Sequence, residues 1–332
     1  MQAPYSLGGL STLAICGWTE RTPDLLRALE ARGVLPVAIG DRSATALAAA
    51  ATALRGHPAT PARYQHPREM LRRGRGDAVL LDMTDAAAEV AAAAQRGTLI
   101  LATGDAIEPD TLDMLARCAS SATVLRPLFW LAPVVAIVDA AHNLDRLRQI
   151  HLTVEDDRPA LDIAGDLLTL ASRIAGVPVE KVTATAYGPD RGETASIVTE
   201  VAFVGGASAL LAARNVIGTR VEAELVARGV TVRAIGDSHG GSLTLTTGGR
   251  TEVTRLTAGD LTDLVIGDAI DELASGGVDT DVLFTEASLL RALQTSLGAP
   301  SAPGVRRPQW TVLAGGGQHT TPRRGHLHLV GV

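Results

Sequence analysis

Two aspartates set four residues apart, Asp162 and Asp166, lie in the run Leu161-Asp162-Ile163-Ala164-Gly165-Asp166-Leu167-Leu168-Thr169-Leu170, whose apolar positions recur at helical spacing. On a helix the two carboxylates share a face. If that face meets a cleft, their mutual repulsion favours a shared proton and makes an acid/base pair. A divalent cation between them is a second use, although no histidine stands at ligand spacing on the same segment. A solvated acidic face is the plain alternative.

A second group follows the apolar run Thr12–Cys16: Gly17-Trp18-Thr19-Glu20-Arg21-Thr22, after which a helical pattern begins at Pro23. A strand, a turn and a helix in this order is where a dinucleotide fingerprint G-x-G-x-x-G would fall, its glycines serving the tight turn, the approach to a pyrophosphate and the helix packing. Gly17 keeps the first glycine, and Thr19 and Thr22 stand at the other two positions. A Cβ at the second position obstructs a pyrophosphate, and Glu20 adds negative charge beside it. Asp41 follows Gly17 by 24 residues, where a carboxylate would grip a ribose hydroxyl, and Arg42 beside it suits a 2′-phosphate. Asp41 serves equally well as a cap for the helix that starts after Ser43.

Other reactive residues are sparse. Of the 30 basic residues only Lys181 is a lysine, so any mechanism that needs one has a single candidate. Cys16 and Cys118 form no C-x-x-C pair, and His319, His326 and His328 have no further ligand at convincing spacing, so no metal site is expected. Gly315-Gly316-Gly317 is not followed by Lys-Ser/Thr, which excludes a P-loop, and Gly236-Asp237-Ser238-His239-Gly240-Gly241 reads as a turn between strands.

The elements that must position these groups fall into two textures. From residue 11 to about 123, short apolar runs alternate with helical stretches, which predicts a Rossmann-like doubly wound parallel sheet. After residue 124 come strand-like runs joined by short turns such as Gly205-Gly206 and Gly248-Gly249, which predict a mostly antiparallel open sheet in an α+β domain. The expected organisation is a first domain over 1–123, a second over 124–300 and a Pro/Gly/Arg-rich tail over 301–332. A formal charge of −6 without a dense basic stripe argues against nucleic acid. No window reaches the length of a membrane span and no cationic leader precedes the first apolar stretch, so a cytoplasmic protein is expected.

The order of elements, together with the first two strands and their helix, residues 77–101 and residues 161–170, resembles the glucose–fructose oxidoreductase / inositol dehydrogenase (Gfo/Idh/MocA) family over about residues 11–295. The resemblance implies an N-terminal Rossmann domain, a C-terminal domain whose open sheet is often a dimer interface, and NAD or NADP as cofactor for hydride transfer at a sugar or cyclitol carbon. In that family a lysine in E-K-P and a histidine in D-x-G-x-H-x-x-D do the acid–base work. Here Thr103, Gly104 and Asp105 fall on E-K-P, so the lysine is missing. Asp162 is kept in the second motif, Ala164 replaces its glycine, Asp166 its histidine and Thr169 its final aspartate. The P-x-x-x-H feature is absent from Asp82-Met83-Thr84-Asp85.

Position by position, cofactor contacts therefore fall to Gly17, Thr19, Thr22, Asp41, Arg42 and Thr103, and catalysis to Asp162, Asp166 and Asp105. An ordinary aspartate is a weak base near neutrality, and Gly104 cannot steady an oxyanion. The expectation is an oxidoreductase-like protein with eroded motifs that acts on a small polar or sugar-like metabolite by redox-neutral chemistry, in a bacterial and specialised-metabolite setting. One alternative is a NAD(P)-dependent reductase with Asp166 in the histidine's role. Another is a non-catalytic subunit beside an active paralogue. The partners expected are a small molecule and, through the open sheet, a second copy or that paralogue.

Overall fold

The computed structural model describes residues 10–55, 60–73, 76–104, 107–118, 121–188 and 196–298. Asp105 and the histidine-bearing tail lie outside them.

The first half alternates as its pattern predicts: β1 (Thr12–Cys16), α1 (Thr22–Glu30), β2 (Leu35–Gly40), α2 (Ala44–Ala53), β3 (Ala62–Tyr64), α3 (Pro67–Arg72), β4 (Ala78–Leu81), α4 (Ala87–Ala94), β5 (Leu99–Ala102), α5 (Pro109–Cys118) and β6 (Ala122–Val124). The six strands form one parallel sheet in the order β3-β2-β1-β4-β5-β6. All four residues of β4 are buried, as expected of a strand covered on both faces. The order reverses between β1 and β4, so the ligand crevice of such a sheet opens at the carboxyl ends of those two strands.

A 3-10 turn over Pro127–Trp130 leads to α6 (Ala132–Ala141), β7 (Gln149–Asp156) and α7 (Ala160–Ala175). Seven strands follow: β8 (Val179–Tyr187), β9 (Ser196–Phe203), β10 (Ser208–Asn215), β11 (Arg220–Ala227), β12 (Val230–Asp237), β13 (Gly240–Thr247) and β14 (Arg250–Thr257). With β7 they make an eight-stranded sheet in the order β14-β13-β12-β11-β7-β10-β9-β8, antiparallel except where β7 runs beside β10. Burial alternates along the strands, with Ile150, Leu152 and Val154 of β7 and Val221, Ala223 and Leu225 of β11 on the covered face. Helices α6 and α7 pack on that face, and no element among the described residues covers the other.

The last two helices are α8 (Leu261–Ala274) and α9 (Thr280–Gly298). Val265, Ile266, Ala269, Ile270 and Leu273 of α8 sit in one core with Leu13, Ile15, Leu26 and Leu29 of the parallel sheet's layer. Helix α9 is shared, because Leu283, Ala287 and Leu290 join the first domain's other core while Leu289 and Leu293 join that of the second sheet. Amphipathic spacing shows that a helix has an apolar face, and it does not say which sheet that face meets. Among the described residues no helix is long and apolar enough to cross a membrane.

The seam is also acidic. Glu272 of α8 accepts a hydrogen bond from the Thr123 hydroxyl of β6. Burial pushes the Glu272 carboxyl above its ordinary value of 4.5; the Thr123 bond opposes this, and Asp268 adds to it. A carboxyl that holds its proton more tightly folded than unfolded contributes stability below its unfolded value, and loses it as pH rises through the folded one. Glu272→Gln should therefore raise the thermal midpoint at pH 7 over wild type, with the gain fading as pH falls through the raised value and gone below about 4.5. Melting curves across that range check the sign.

Candidate active site

The turn between β1 and α1 is built on Gly17. Its φ is +89°, and a Cβ there would lie 2.1 Å from the Asp82 carbonyl oxygen, so the end of β4 leaves room for glycine alone. Asp82 is 3% exposed. The Thr19 and Thr22 hydroxyls donate to its Oδ2, at 2.8 Å for Thr19, and the Thr103 hydroxyl donates to its Oδ1 at 2.7 Å. The turn's amides close on the same hydroxyls, since the Thr19 N–H donates to Thr22 Oγ1 at 2.8 Å and the Arg21 N–H to Thr19 Oγ1 at 3.2 Å. The Gly17 N–H donates to the Gly40 carbonyl.

Gly17, Thr19, Thr22 and Thr103 are thus brought together, around a carboxylate that the sequence reading noted only for a missing motif. Its one signal was an aspartate ending a wholly apolar strand at the sheet's ligand-binding edge. A pyrophosphate at this place needs free backbone donors and positive potential at the helix N-terminus. Here the amides named above are engaged and a buried carboxylate faces the first turn of α1. The residues present do not fit the pyrophosphate of NAD or NADP.

Asp41 and Arg42 stand apart from this group at the end of β2. Asp41 Oδ1 accepts from the Ser43 N–H at 2.6 Å and so shapes the turn into α2. Arg42 reaches Glu89 Oε1 at 3.0 Å, with Arg68 at 3.4 Å from the same oxygen. Glu89 is 1% exposed and its Oε2 has no partner. Burial, with the Glu89 and Asp41 charges, pushes the Cys16 thiol well above its ordinary range, which leaves it inert.

Asp162 and Asp166 line a cleft of about 360 Å³ together with Gly104, Glu108, Asp110, Arg126, Arg158, Arg291 and Gln294. The Asp166 carboxylate is gripped from both sides: Arg126 donates to Oδ1 at 2.6 Å and Arg158 to Oδ2 at 2.8 Å. Arg126 turns its other arm to Glu286 Oε2 at 2.7 Å, and Arg158 donates through Nε to Asp156 at 3.2 Å. Arg173 completes the chain on Glu286 at 3.2 Å. Burial alone would push the Arg158 guanidinium down, but Asp166 and Asp156 beside it reverse this and hold it above the ordinary arginine value. To accept a proton, Asp166 would have to release a charge-assisted bond. Asp162, one turn earlier and more exposed, stands at the rim of the cleft. At Gly104, where the family's lysine would stand, a Cβ would meet nothing within 4 Å.

The sequence reading missed Arg126, Arg158 and Glu286. They come from three separate elements, and no local spacing joins them. Among the described residues no group of three or more His, Cys, Asp or Glu is placed to hold a metal ion.

No protein-family model and no curated protein sequence matches this chain. Solved structures do. A 3-ketoreductase from Actinomadura kijaniata in complex with NADP matches with a TM-score of 0.73 at 17% identity, over 87% of this chain and 98% of its own. An oxidoreductase from Agrobacterium radiobacter, in complex with NAD+, L-tartaric acid and magnesium, matches with 0.72 at 15%, over 86% and 96%. A UDP-N-acetylglucosamine 3-dehydrogenase from Acidithiobacillus ferrooxidans matches with 0.69 at 16%, over 86% and 97%. The chain has the two-sheet fold of these oxidoreductases.

Removing Arg126 leaves Asp166 and Glu286 each short of a buried donor. Arg126→Ala should cost ~3–5 kcal/mol of stability. Arg126→Lys should recover less than half of that, because an ammonium cannot fork to both carboxylates. Urea unfolding of the two variants checks both statements, and a loss within about 0.5 kcal/mol, as at an ordinary surface site, would contradict them.

Proposed function

We propose that the chain is a diverged member of the Gfo/Idh/MocA family that holds a small polar, sugar-like metabolite in the cleft and acts on it without hydride transfer, as a cytoplasmic protein of a bacterial metabolic pathway. The observation that carries this is the double arginine grip on Asp166, which stands where the family keeps its histidine. A relay residue must gain and lose a proton in each cycle, and this one is built as a fixed anion.

The cleft's lining suits hydroxyl groups. Four carboxylates and three guanidiniums line it, with little net charge, and such planar polar groups give a polyol both donors and acceptors. A dehydrogenase of UDP-N-acetylglucosamine among the structural neighbours supports the same ligand class. In the chemistry proposed, Asp162 takes a proton from a carbon next to a carbonyl, and the Arg158 cation steadies the oxyanion that forms. Elimination and isomerisation both begin this way: in the first the enolate's electron pair expels a β-hydroxyl, which leaves as water with the proton taken, and in the second the proton returns at the neighbouring atom, so neither needs a hydride acceptor.

The test follows substrate loss by NMR in a panel of aldoses, ketoses and nucleotide sugars, with no nicotinamide added. Wild type should turn over one of them. Asp162→Asn should lose roughly a hundredfold or more in rate with binding kept, the size of a general-base contribution. Undiminished activity in both Asp162→Asn and Asp166→Asn would sink the idea, as would turnover that requires added NAD(P)(H).

The open face of the eight-stranded sheet is proposed as the contact with a second copy or a paralogue. It carries facing charge pairs at Glu155–Arg214 and Glu222–Arg233. Light scattering should give twice the chain mass at micromolar concentration, and Arg233→Glu should reduce it to one chain. A wild-type monomer would refute pairing with a second copy, and absence of a homologous subunit on co-purification would then refute the paralogue.

A further inference from the structure

We infer that Asp82 is a resident anion, standing where this fold otherwise receives a dinucleotide pyrophosphate, and that its carboxylate is what keeps NAD(H) and NADP(H) out of the crevice. The proposal is independent of the cleft reading: a chain that bound no metabolite would leave it untouched.

Three observations converge on it. The first is position, since Asp82 directly follows β4 and lies against Gly17 of the neighbouring β1, at the point where strand order reverses. That is the place where a helix N-terminus and its amides attract negative charge. The second is completeness. Oδ2 accepts from Thr19 and Thr22 and Oδ1 from Thr103, so both oxygens are satisfied by side chains of the loops that would otherwise surround a phosphate. The third is the lack of a countercharge. Among the described residues no arginine, lysine or histidine forms an ion pair with Asp82, so its charge rests on three hydroxyls and the dipole of α1. A pyrophosphate brought to the same helix end would meet an unneutralised carboxylate at close range in a partly dry crevice, where like charges repel far more strongly than in water.

The two threonines acquire a role in this arrangement. At the second and third fingerprint positions their Cβ atoms narrow the approach, but their hydroxyls point at Asp82 and tie it down. The fold thereby holds its phosphate turn closed with no cofactor to organise it. Steric narrowing and charge are separable, and the inference commits to charge.

Calorimetric titration of wild type, Asp82→Asn, Asp82→Ser and Thr19→Gly with NAD(H) and NADP(H), each variant checked for cooperative melting, separates them. Wild type and Thr19→Gly should show no binding up to millimolar cofactor. Asp82→Asn keeps the shape and removes the charge, and should tighten binding of at least one dinucleotide by about tenfold or more. Asp82→Ser guards against a folding defect peculiar to the amide and should behave alike, with inorganic pyrophosphate raising its melting temperature but not that of wild type. Micromolar binding by wild type would overturn the inference. So would folded Asp82→Asn and Asp82→Ser that bind no better than wild type, or binding restored by Thr19→Gly alone.

Discussion

The junction between the two sheets rests on a requirement of charge. Asp156, Asp166 and Glu286 are all buried, and none can stay ionised out of water without a partner. Arg126 meets the requirement for two of them at once. It enters from the end of β6, Asp166 from α7 and Glu286 from α9, so one side chain fixes three elements that belong to different parts of the chain. Arg158 then closes Asp166 from the other side and Asp156 with it. A slip of α7 by one turn would break both guanidinium contacts together, which makes the docking of the second sheet all-or-none. The task suits arginine, whose planar fork reaches two carboxylates, and a chain with a single lysine has every such site filled by arginine.

That requirement also shapes the cleft. Its floor is the face of α7 that carries Asp166, and its wall is α9, which approaches so closely that a Cβ at Gly165 would fall 2.7 Å from Leu290 Cδ2. The walls are therefore held by the same ion network that lines them. Arg126 keeps one buried donor, Nε, without a partner, while its other arms are fully engaged. Rigid, charge-balanced walls favour a ligand that exchanges hydrogen bonds without bringing net charge.

Much of the frame was legible in the sequence. The apolar run Thr12–Cys16 and the helical pattern from Pro23 located β1 and α1, and the helical spacing of residues 161–170 falls within α7, which is closed by Gly176 at φ +61°. β14 escaped because Arg250–Thr257 is exposed along almost its whole length and so shows no apolar alternation. β3 and β6 are three residues each, too short for any period to emerge. At the site, spacing placed Asp162 and Asp166 on one face but was silent on their partners. Arg126 is 40 residues from Asp166 and 160 from Glu286, and a buried ion pair across such distances leaves no local trace. Asp82 was overlooked for another reason. The family pattern directs attention to what is missing at its position, whereas the chemistry lies in what replaced it.

The polar atoms of this turn are accounted for among themselves. A threonine in a dry turn strands its hydroxyl unless a partner stands beside it, since each such side chain brings a polar atom out of water. The buried polar atoms without partners among the described residues are Glu89 Oε2, Thr111 Oγ1, Arg126 Nε, Thr169 Oγ1 and Thr199 Oγ1. None belongs to the turn. Thr19, Thr22, Thr103 and both oxygens of Asp82 satisfy one another in a closed set. A half-satisfied network costs more than none, so removing any one member of this set exposes the rest to that cost. The turn after β1 is therefore a closed polar element with its own internal charge, and its hydrogen bonds are complete with nothing bound there.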